Sequence, residues 1–190
     1  MRRDPRLAVV IRQAGRVRPE FGGRKPFAAL VRAVVSQQLS TKAADTIHRR
    51  VLALMPTLTP DVLLVVPVAD LRAAGLSNQK VGYLRDLAEH VRDGRLDLDG
   101  LRHMTDEAII DEIVAVKGFG VWSAQMFLMF CLHRPDVLPT GDLGIVKGMQ
   151  RLLGMKRRPA IRTMERAAKP WQPYRSIACW YLWRSLEMPE

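Results

Sequence analysis

Apolar residues recur at helical spacing along nearly the whole chain, and no segment alternates apolar and polar residues between hairpin turns. This pattern constrains the fold most strongly. Spacings of three and four residues place side chains on one face of an α-helix, whereas a half-buried strand needs a period of two. Ser, Thr, Asp or Pro precedes most of the apolar stretches and Gly or Pro follows many of them, as at helix ends. The sequence therefore predicts an all-α protein.

The predicted helices are identified by their apolar stripes and by the residues that begin or end them. In order, the stripes are Leu7 to Ala14, Phe27 to Val35 after Pro26, Ala43 to Leu54 after Ser40, Val62 to Val66 after Thr59, Val68 to Ala74 before Gly75, Val81 to Val91 after Ser77, Ala108 to Val116 after Thr105, Trp122 to His133, Leu143 to Leu152 after Asp142, Ile161 to Ala168 in a helix that begins at Pro159, and Ile177 to Trp183 in a helix that begins at Pro173.

A glycine turn, Val116-Lys117-Gly118-Phe119-Gly120-Val121-Trp122, precedes the most apolar of these stretches. Gly118 and Gly120 have no Cβ, so the backbone can turn sharply there and approach a ligand closely. The helix that begins near Val121 presents N–H groups without intrahelical partners, and its dipole favours an anion. The turn therefore predicts a phosphate-binding site, with a simple helix–helix turn capped by glycines as the alternative.

The charge of the chain favours a polyanionic partner. It has 30 Lys and Arg against 19 Asp and Glu, a formal net charge of +11 and a pI of about 10.5. Lys and Arg gain affinity for nucleic acid by releasing counterions from phosphates, although such a charge also serves solubility. Combined with the glycine turn, the charge predicts a DNA-binding protein.

A single carboxylate stands out against this basic background, in Pro139-Thr140-Gly141-Asp142-Leu143-Gly144. An acidic side chain repels phosphate, so Asp142 is unexpected in a surface that only binds DNA and is better explained by chemistry. The alternative is a helix N-cap, worth about 1 kcal/mol. The two functions are compatible.

Other classes of site are disfavoured. The two cysteines, Cys131 and Cys179, lie in apolar helical patterns and are expected to be reduced, buried thiols. They are too few for an iron–sulfur cluster, which takes four ligands. The four histidines show no metal-ligand spacing. No apolar run approaches the roughly 20 residues of a transmembrane helix, and no signal-type stretch follows the charged N-terminus. We expect an intracellular protein of the cytoplasm or nucleoid that does not associate with membranes.

The order helix, glycine turn, helix, Gly-Asp, helix resembles the helix-hairpin-helix (HhH-GPD) superfamily of DNA base-excision glycosylases. Further stretches are similar to its compact 3-methyladenine branch. They are Val35-Ser36-Gln37-Gln38-Leu39-Ser40-Thr41-Lys42-Ala43-Ala44, Leu71-Arg72-Ala73-Ala74-Gly75-Leu76-Ser77 with Lys80 and Tyr83, and Trp171-Gln172-Pro173-Tyr174-Arg175-Ser176 ahead of Trp180 and Trp183. The resemblance covers the chain from about Arg24 to Trp183.

The resemblance implies an all-α fold of two helical lobes with a central cleft and no N-terminal β-domain. Lobe A would comprise about 26–133, with the helix-hairpin-helix near 106–133. Lobe B would comprise about 1–25 plus 134–190. We expect one such unit, monomeric, that binds double-stranded DNA containing damaged bases.

The implied activity is excision of alkylated purines (3-methyladenine, 7-methylguanine and, by extension, ethenoadenine) in base excision repair. The enzyme would flip the base out of the duplex and hydrolyse the N-glycosidic bond. Lyase-type members carry a nucleophilic lysine where this sequence has Trp122, so we expect a monofunctional hydrolase. The alternatives are a non-catalytic DNA-damage-binding module and a glycosylase for an oxidised or deaminated base.

The resemblance also assigns roles to single residues. Asp142 would be the catalytic carboxylate, and no catalytic cofactor is expected. The DNA-binding positions would be Gln38, Lys117, Gly118, Phe119, Gly120, Ser123 and Lys147. Gln38 would fill the gap left by the flipped base, or would be an ordinary helix-end glutamine. Main-chain carbonyls of Val114, Val116 and Phe119 would hold a structural Na⁺ or K⁺ ion. The base pocket would be lined by Trp122, Met126, Trp180 and Trp183, each of which could instead belong to the core.

Overall fold

The fold is all-α, as the sequence predicts. The computed structural model describes residues 4–16 and 25–188, and no strand occurs in these two ranges. The helices are α1 (Pro5–Ala14), α2 (Pro26–Ser36), α3 (Thr41–Ala53), α4 (Pro60–Val65), α5 (Val68–Ala73), α6 (Asn78–Arg92), α7 (Asp106–Val114), α8 (Val121–Phe130), α9 (Leu143–Leu152), α10 (Ile161–Ala168) and α11 (Arg175–Ser185). Short 3-10 turns occupy Gly100–His103 and Lys169–Trp171.

The chain divides into two compact units. We call Gly23–Phe127 the hairpin unit and Met1–Gly22 together with Leu128–Glu190 the terminal unit. In the hairpin unit, α6 packs against α2, α4 and α5, and Leu63, Leu84 and Leu87 are fully buried. In the terminal unit, α11 packs against α1 and α9, with Leu7 and Leu182 fully buried. Each unit therefore has its own apolar core.

Side-chain caps set the starts of most helices where the sequence predicts them. The hydroxyls of Ser40, Thr59, Ser77 and Thr105 accept a hydrogen bond from a backbone N–H in the following first turn. This satisfies one of the N–H groups that a helix leaves without an intrahelical partner. At the other ends, Gly75 and Gly94 follow α5 and α6 with positive φ values of 109° and 71°, as in glycine-terminated helices.

Three predicted helix boundaries are wrong by a few residues. Helix α8 ends at Phe130 rather than His133, because His133 adopts a left-handed φ of 59° and Arg134 N–H bonds back to Leu128 O at 2.9 Å. Helix α10 begins at Ile161 and not at Pro159. Helix α11 begins at Arg175 and not at Pro173, because Tyr174 has a non-helical φ of −122°. None of the described helices is long and apolar enough to cross a bilayer.

Candidate active site and nucleic-acid interface

The glycine turn is the connection between α7 and α8. Gly118 has a φ of +87°, and a Cβ built on it would lie 2.3 Å from the ring of Tyr83 on α6. Glycine is therefore needed at Gly118 twice, for the left-handed backbone and for the close approach of the aromatic ring. Gly120 has open space around its Cβ position. Its carbonyl accepts from Ala124 N–H at 3.1 Å, so Gly120 directly precedes the first turn of α8.

Neighbouring elements of the hairpin unit hold this turn in place. The backbone N–H of Lys117 donates to Asp86 Oδ2 at 2.8 Å, and Lys117 Nζ lies 3.7 Å from Asp86 Oδ1. The Gln37 side-chain amide donates to Gly118 O at 2.8 Å. Lys117 keeps 79% of its side chain exposed, so its charge is accessible from solvent while its backbone is fixed.

The other predicted DNA-binding residues differ in exposure. Phe119 and Ser123 are buried, at 7% and 8% exposed. Lys147 is exposed on α9. Gln38 follows the end of α2 and has a left-handed φ of 57°. Its backbone therefore differs from the right-handed conformation of an ordinary residue at the end of a helix. The buried side chain of Phe119 leaves its main-chain atoms as the groups relevant to binding.

The predicted cation ligands are main-chain oxygens at the end of α7 and in the turn. Val116 is buried and Val114 is 39% exposed. The carbonyl of Val116 accepts from Phe119 N–H at 3.2 Å, which forms the turn itself. Such carbonyls suit a hard, weakly bound cation. Among residues 4–16 and 25–188 there is no cluster of three or more His, Cys, Asp or Glu side chains that could hold a metal ion.

Asp142 lies at the N-terminus of α9 and caps it. Its Oδ1 accepts two hydrogen bonds, from the backbone N–H of Ile145 at 2.8 Å and from the indole Nε1–H of Trp183 at 2.9 Å. The N-cap that the sequence offered as an alternative is therefore present. The second donor comes from α11, 41 residues along the chain, and two donors from different helices fix the orientation of the carboxylate.

The second glycine of Gly141-Asp142-Leu143-Gly144 explains this arrangement. A Cβ at Gly144 would lie 2.6 Å from Trp183 Cδ1, 2.7 Å from Trp183 Nε1 and 3.1 Å from Asp142 Oδ1. A Cβ placed on Gly141 would have no neighbouring atom within 4 Å. Only Gly144 therefore makes room for the indole beside the carboxylate.

Three aromatic rings of the terminal unit form a cluster next to Asp142. The rings of Phe130 and Trp183 stack at 5.9 Å between centroids, with 24° between their planes. Trp180 contacts Phe130 edge-on at 5.4 Å and Trp183 edge-on at 5.8 Å. All three side chains are half-buried. The structure therefore brings together Asp142, Trp180 and Trp183, and it adds Phe130, which the sequence reasoning missed inside an evenly apolar helix.

Trp122 and Met126 belong to the part of α8 in the hairpin unit. Trp122 is 47% exposed and Met126 is half-buried. About half of the surface of Trp122 is therefore accessible to solvent. Both cysteines were expected to be buried. Cys179 in the terminal unit is fully buried, but Cys131 is only half-buried. Burial raises the pKa of the Cys179 thiol, and the nearby Asp142 carboxylate raises it further, so this thiol is inert as a nucleophile.

Comparison with known proteins identifies the family. The model of the HhH-GPD superfamily of base excision DNA repair proteins matches residues 31–173. DNA-3-methyladenine glycosylase 1 of Schizosaccharomyces pombe is 30% identical over 187 residues, which cover 95% of this chain and 82% of the relative. Putative DNA-3-methyladenine glycosylase YfjP of Bacillus subtilis is 36% identical over 128 residues, covering 67% of this chain and 45% of that protein.

Solved structures agree with this assignment. The S. pombe 3-methyladenine DNA glycosylase Mag1, in complex with abasic DNA, has a TM-score of 0.87 and 30% identity, covering 97% of this chain and 93% of that one. A DNA-3-methyladenine glycosidase from Bacillus halodurans has a TM-score of 0.89 and 39% identity, covering 97% and 85%. The resemblance read from the sequence is confirmed: this chain belongs to the HhH-GPD superfamily of base excision DNA repair proteins.

Proposed function

We propose that the protein is a monofunctional DNA glycosylase that excises alkylated purines, among them 3-methyladenine, 7-methylguanine and 1,N6-ethenoadenine, from duplex DNA. The family assignment and the names of the relatives support a glycosylase acting on alkylated bases in base excision repair. The observation that carries the chemistry is the carboxylate of Asp142, held by a backbone amide and an indole beside an aromatic cluster.

The proposed reaction uses Asp142 as an electrostatic partner of the sugar. Departure of the base leaves positive charge on the sugar ring, as in other glycosidic cleavages, and an adjacent anion stabilises that charge or orients the attacking water. Because Ile145 and Trp183 fix Oδ1 before the substrate arrives, little reorganisation is needed at the moment of reaction. The aspartate therefore combines a helix cap with catalysis.

The proposed base pocket uses aromatic faces. Alkylated purines such as 3-methyladenine are electron-poor or cationic, and tryptophan faces attract such rings by stacking and cation–π contact. Trp180 and Trp183 present such rings in the terminal unit together with Phe130. Trp122 and Met126 of α8, in the hairpin unit, stay predicted pocket residues. A pocket of this kind selects bases by charge and by the lability of the glycosidic bond more than by reading a base edge.

We assign DNA binding to the glycine turn and to two further positions. Lys117, Gly118, Phe119, Gly120 and Ser123 would bind the phosphate backbone at the N-terminus of α8, where helix N–H groups and the dipole favour an anion. Lys147 would add a phosphate contact, and Gln38 would fill the gap left by the flipped base. A Na⁺ or K⁺ ion on the carbonyls of Val114, Val116 and Phe119 would neutralise part of the phosphate charge.

The proposal includes no lyase step and no catalytic cofactor. Strand cleavage in lyase-type members requires an amine that forms a Schiff base with the sugar, and Trp122, which stands at the corresponding position, cannot supply one. The division into lobes of about 26–133 and about 1–25 plus 134–190, a monomeric state and a nucleoid location stay predictions.

The test is base release without alkali treatment. Duplex DNA carrying one 1,N6-ethenoadenine, and methylated genomic DNA, are incubated with the protein, and free bases are measured by chromatography while the strands are examined for breaks. Released alkylated purines from intact strands are the expected result. Asp142→Asn should abolish release and keep DNA binding, because the amide oxygen can still accept from Ile145 N–H.

Asp70→Asn is the matched control, since it changes an exposed carboxylate on α5 in the same way. It should excise normally. Equal excision by Asp142→Asn and Asp70→Asn would contradict the catalytic assignment. Tight binding to lesion DNA with no base release by the unaltered protein would favour the damage-binding module, and release of only oxidised or deaminated bases would favour the other glycosylase class.

A further inference from the structure

The connection between α2 and α3 carries Gln38 in an unusual backbone conformation. Its φ of 57° lies in the left-handed region, which is uncommon for residues with a Cβ and persists where the surroundings enforce it. Gln38 is also the residue proposed to enter the DNA duplex. The contacts that hold the α2–α3 connection therefore help to set the direction of the Gln38 side chain.

Lys80 on α6 holds the backbone immediately before Gln38. Its ammonium Nζ donates to the carbonyls of Val35 and Gln37, both at 2.7 Å. These carbonyls lie at the C-terminal end of α2, where helix carbonyls lack intrahelical partners and the dipole favours a cation. The carbonyl of Gln37 belongs to the same peptide unit as the N–H of Gln38. Lys80 therefore restrains the rotation that sets the direction of Gln38.

This lysine is not an ordinary surface residue. Burial lowers the pKa of its amine, because removal from water disfavours the charged form. The two short bonds to carbonyls replace the lost hydration. A half-buried lysine that donates to two main-chain carbonyls holds the backbone of this connection in place.

The side chain of Gln37 extends from the same connection to the glycine turn. Its Nε2 donates to Gly118 O at 2.8 Å. Gly118 in turn lies against the ring of Tyr83, and Lys117 N–H donates to Asp86 Oδ2. Lys80, Tyr83 and Asp86 follow one another at intervals of three residues on α6. A single helix therefore anchors both the α2–α3 connection and the α7–α8 turn.

We propose that Lys80 and Gln37 are positioning residues that hold Gln38 in its left-handed conformation and fix it relative to the glycine turn, so that phosphate binding and insertion of Gln38 into the duplex are mechanically coupled. This inference rests on the proposed function. Neither residue touches the reacting atoms, and both act through Gln38. Their loss should therefore impair base flipping more than DNA binding.

The test uses Lys80→Met, which keeps the apolar stem and removes the ammonium. DNA carries 2-aminopurine next to a tetrahydrofuran abasic analogue, and fluorescence reports unstacking without any excision. Lys80→Met should reduce the fluorescence increase. On a separate duplex that carries 1,N6-ethenoadenine, it should lower the single-turnover excision rate by about 10-fold or more, the factor expected for loss of at least one hydrogen bond from a charged donor. Binding to undamaged DNA should stay within about 2-fold of that of the unaltered protein.

The control is Lys42→Met, which removes the same charge from an exposed lysine at the start of α3. It should leave unstacking unchanged. Lys80→Arg, which can donate to both carbonyls, should restore part of the signal. Gln37→Ala tests the second contact in a protein that keeps Lys80, so the inference remains testable if Lys80→Met does not fold.

The decisive comparison is a double-variant cycle with Gln38→Ala. If Lys80 and Gln37 act through Gln38, adding either substitution to Gln38→Ala should cause no further loss of unstacking. The inference would be overturned if the losses of unstacking in the single variants added up in the double variants. It would also be overturned if Lys80→Met and Gln37→Ala unstacked the DNA as well as Lys42→Met does. Absence of any base release by the unaltered protein would instead overturn the proposed function, because the fluorescence assay does not depend on excision.

Discussion

Substituting Gly144 by alanine should separate catalysis from folding at the proposed active site. The added Cβ would lie 2.6 Å from Trp183 Cδ1 and 2.7 Å from Trp183 Nε1. Non-bonded carbon atoms prefer about 3.5–4.0 Å, so the indole must move by about 1 Å. The hydrogen bond from Nε1 to Asp142 Oδ1, now 2.9 Å, would lengthen beyond the range in which such bonds form.

The expected loss follows from that bond. A hydrogen bond to a charged group contributes about 1.5–3 kcal/mol, and about 1.4 kcal/mol corresponds to a factor of ten in rate. Gly144→Ala should therefore slow base excision by about 10- to 150-fold under single-turnover conditions. A displacement of about 1 Å in a positioned catalytic group is known to have effects of this order.

Stability should change much less than activity. Gly144 lies in the first turn of α9, and alanine is favoured over glycine in a helix by up to about 1 kcal/mol. This gain offsets part of the cost of moving a half-buried ring. Thermal unfolding and the helical circular dichroism signal should therefore show a folded protein at the assay temperature.

Gly141→Ala is the matched control, because it lies beside Asp142 with nothing within 4 Å of its Cβ position. It should excise at nearly the normal rate. Trp183→Phe, which keeps an aromatic ring and removes the donor, should lose about as much as Gly144→Ala, and the double variant should lose little more. Equal excision by Gly144→Ala and Gly141→Ala would refute the proposed role of the indole.

Two further predictions concern stability. Gly118→Ala should destabilise the protein by more than about 1 kcal/mol in urea unfolding, which is the average effect of a single substitution, because its methyl group would collide with the Tyr83 ring and its backbone is left-handed. Gly154→Ala should cost less, because its φ of 62° is left-handed but its Cβ would lie in open space. Equal losses of stability in the two variants would contradict the packing argument. Burial of Asp136 raises its pKa, but the hydrogen bonds and charge of Arg175 lower it more, so the net pKa falls below the usual 3.8. This ion pair stabilises the fold above that value and loses its contribution as pH falls through the lowered pKa. In Asp136→Asn, the free energy of unfolding should fall less steeply than in the unaltered protein as the pH is lowered below 3.8. The same pH dependence in both proteins, measured by urea unfolding, would contradict this reasoning.

The helix pattern was predictable because its determinants are local. Thr59, Ser77, Thr105 and Asp142 cap the helices that follow them, as their spacing to the next apolar stripe indicated. A cap needs only a side chain and an N–H two or three residues away. The misplaced ends of α8, α10 and α11 occur where a proline or a continuous apolar run suggested more helix than the backbone supports.

Parts of the candidate site were not predictable, because their partners are distant in sequence. The sequence pattern singled out Asp142, Gly144 and Gly118, but it did not show why the two glycines are required. Gly144 makes room for the ring of Trp183, and Gly118 makes room for the ring of Tyr83. Phe130 was hidden because the four residues before it in α8, Met126 to Met129, are also apolar, so no periodicity distinguishes a ring of the cluster from one of the core.

The amino-acid sequence alone determined the all-α class, the order of the helices, the glycine turn, the basic charge and the family, since these depend on spacing, composition and short motifs. Only the tertiary structure decided which donors hold the carboxylate and which helix anchors the turn. Trp183 reaches Asp142 across 41 residues, and Gln37 reaches Gly118 across 81. Contacts of this kind arise when whole helices pack, because packing places side chains according to helix position and crossing geometry rather than according to their separation along the chain.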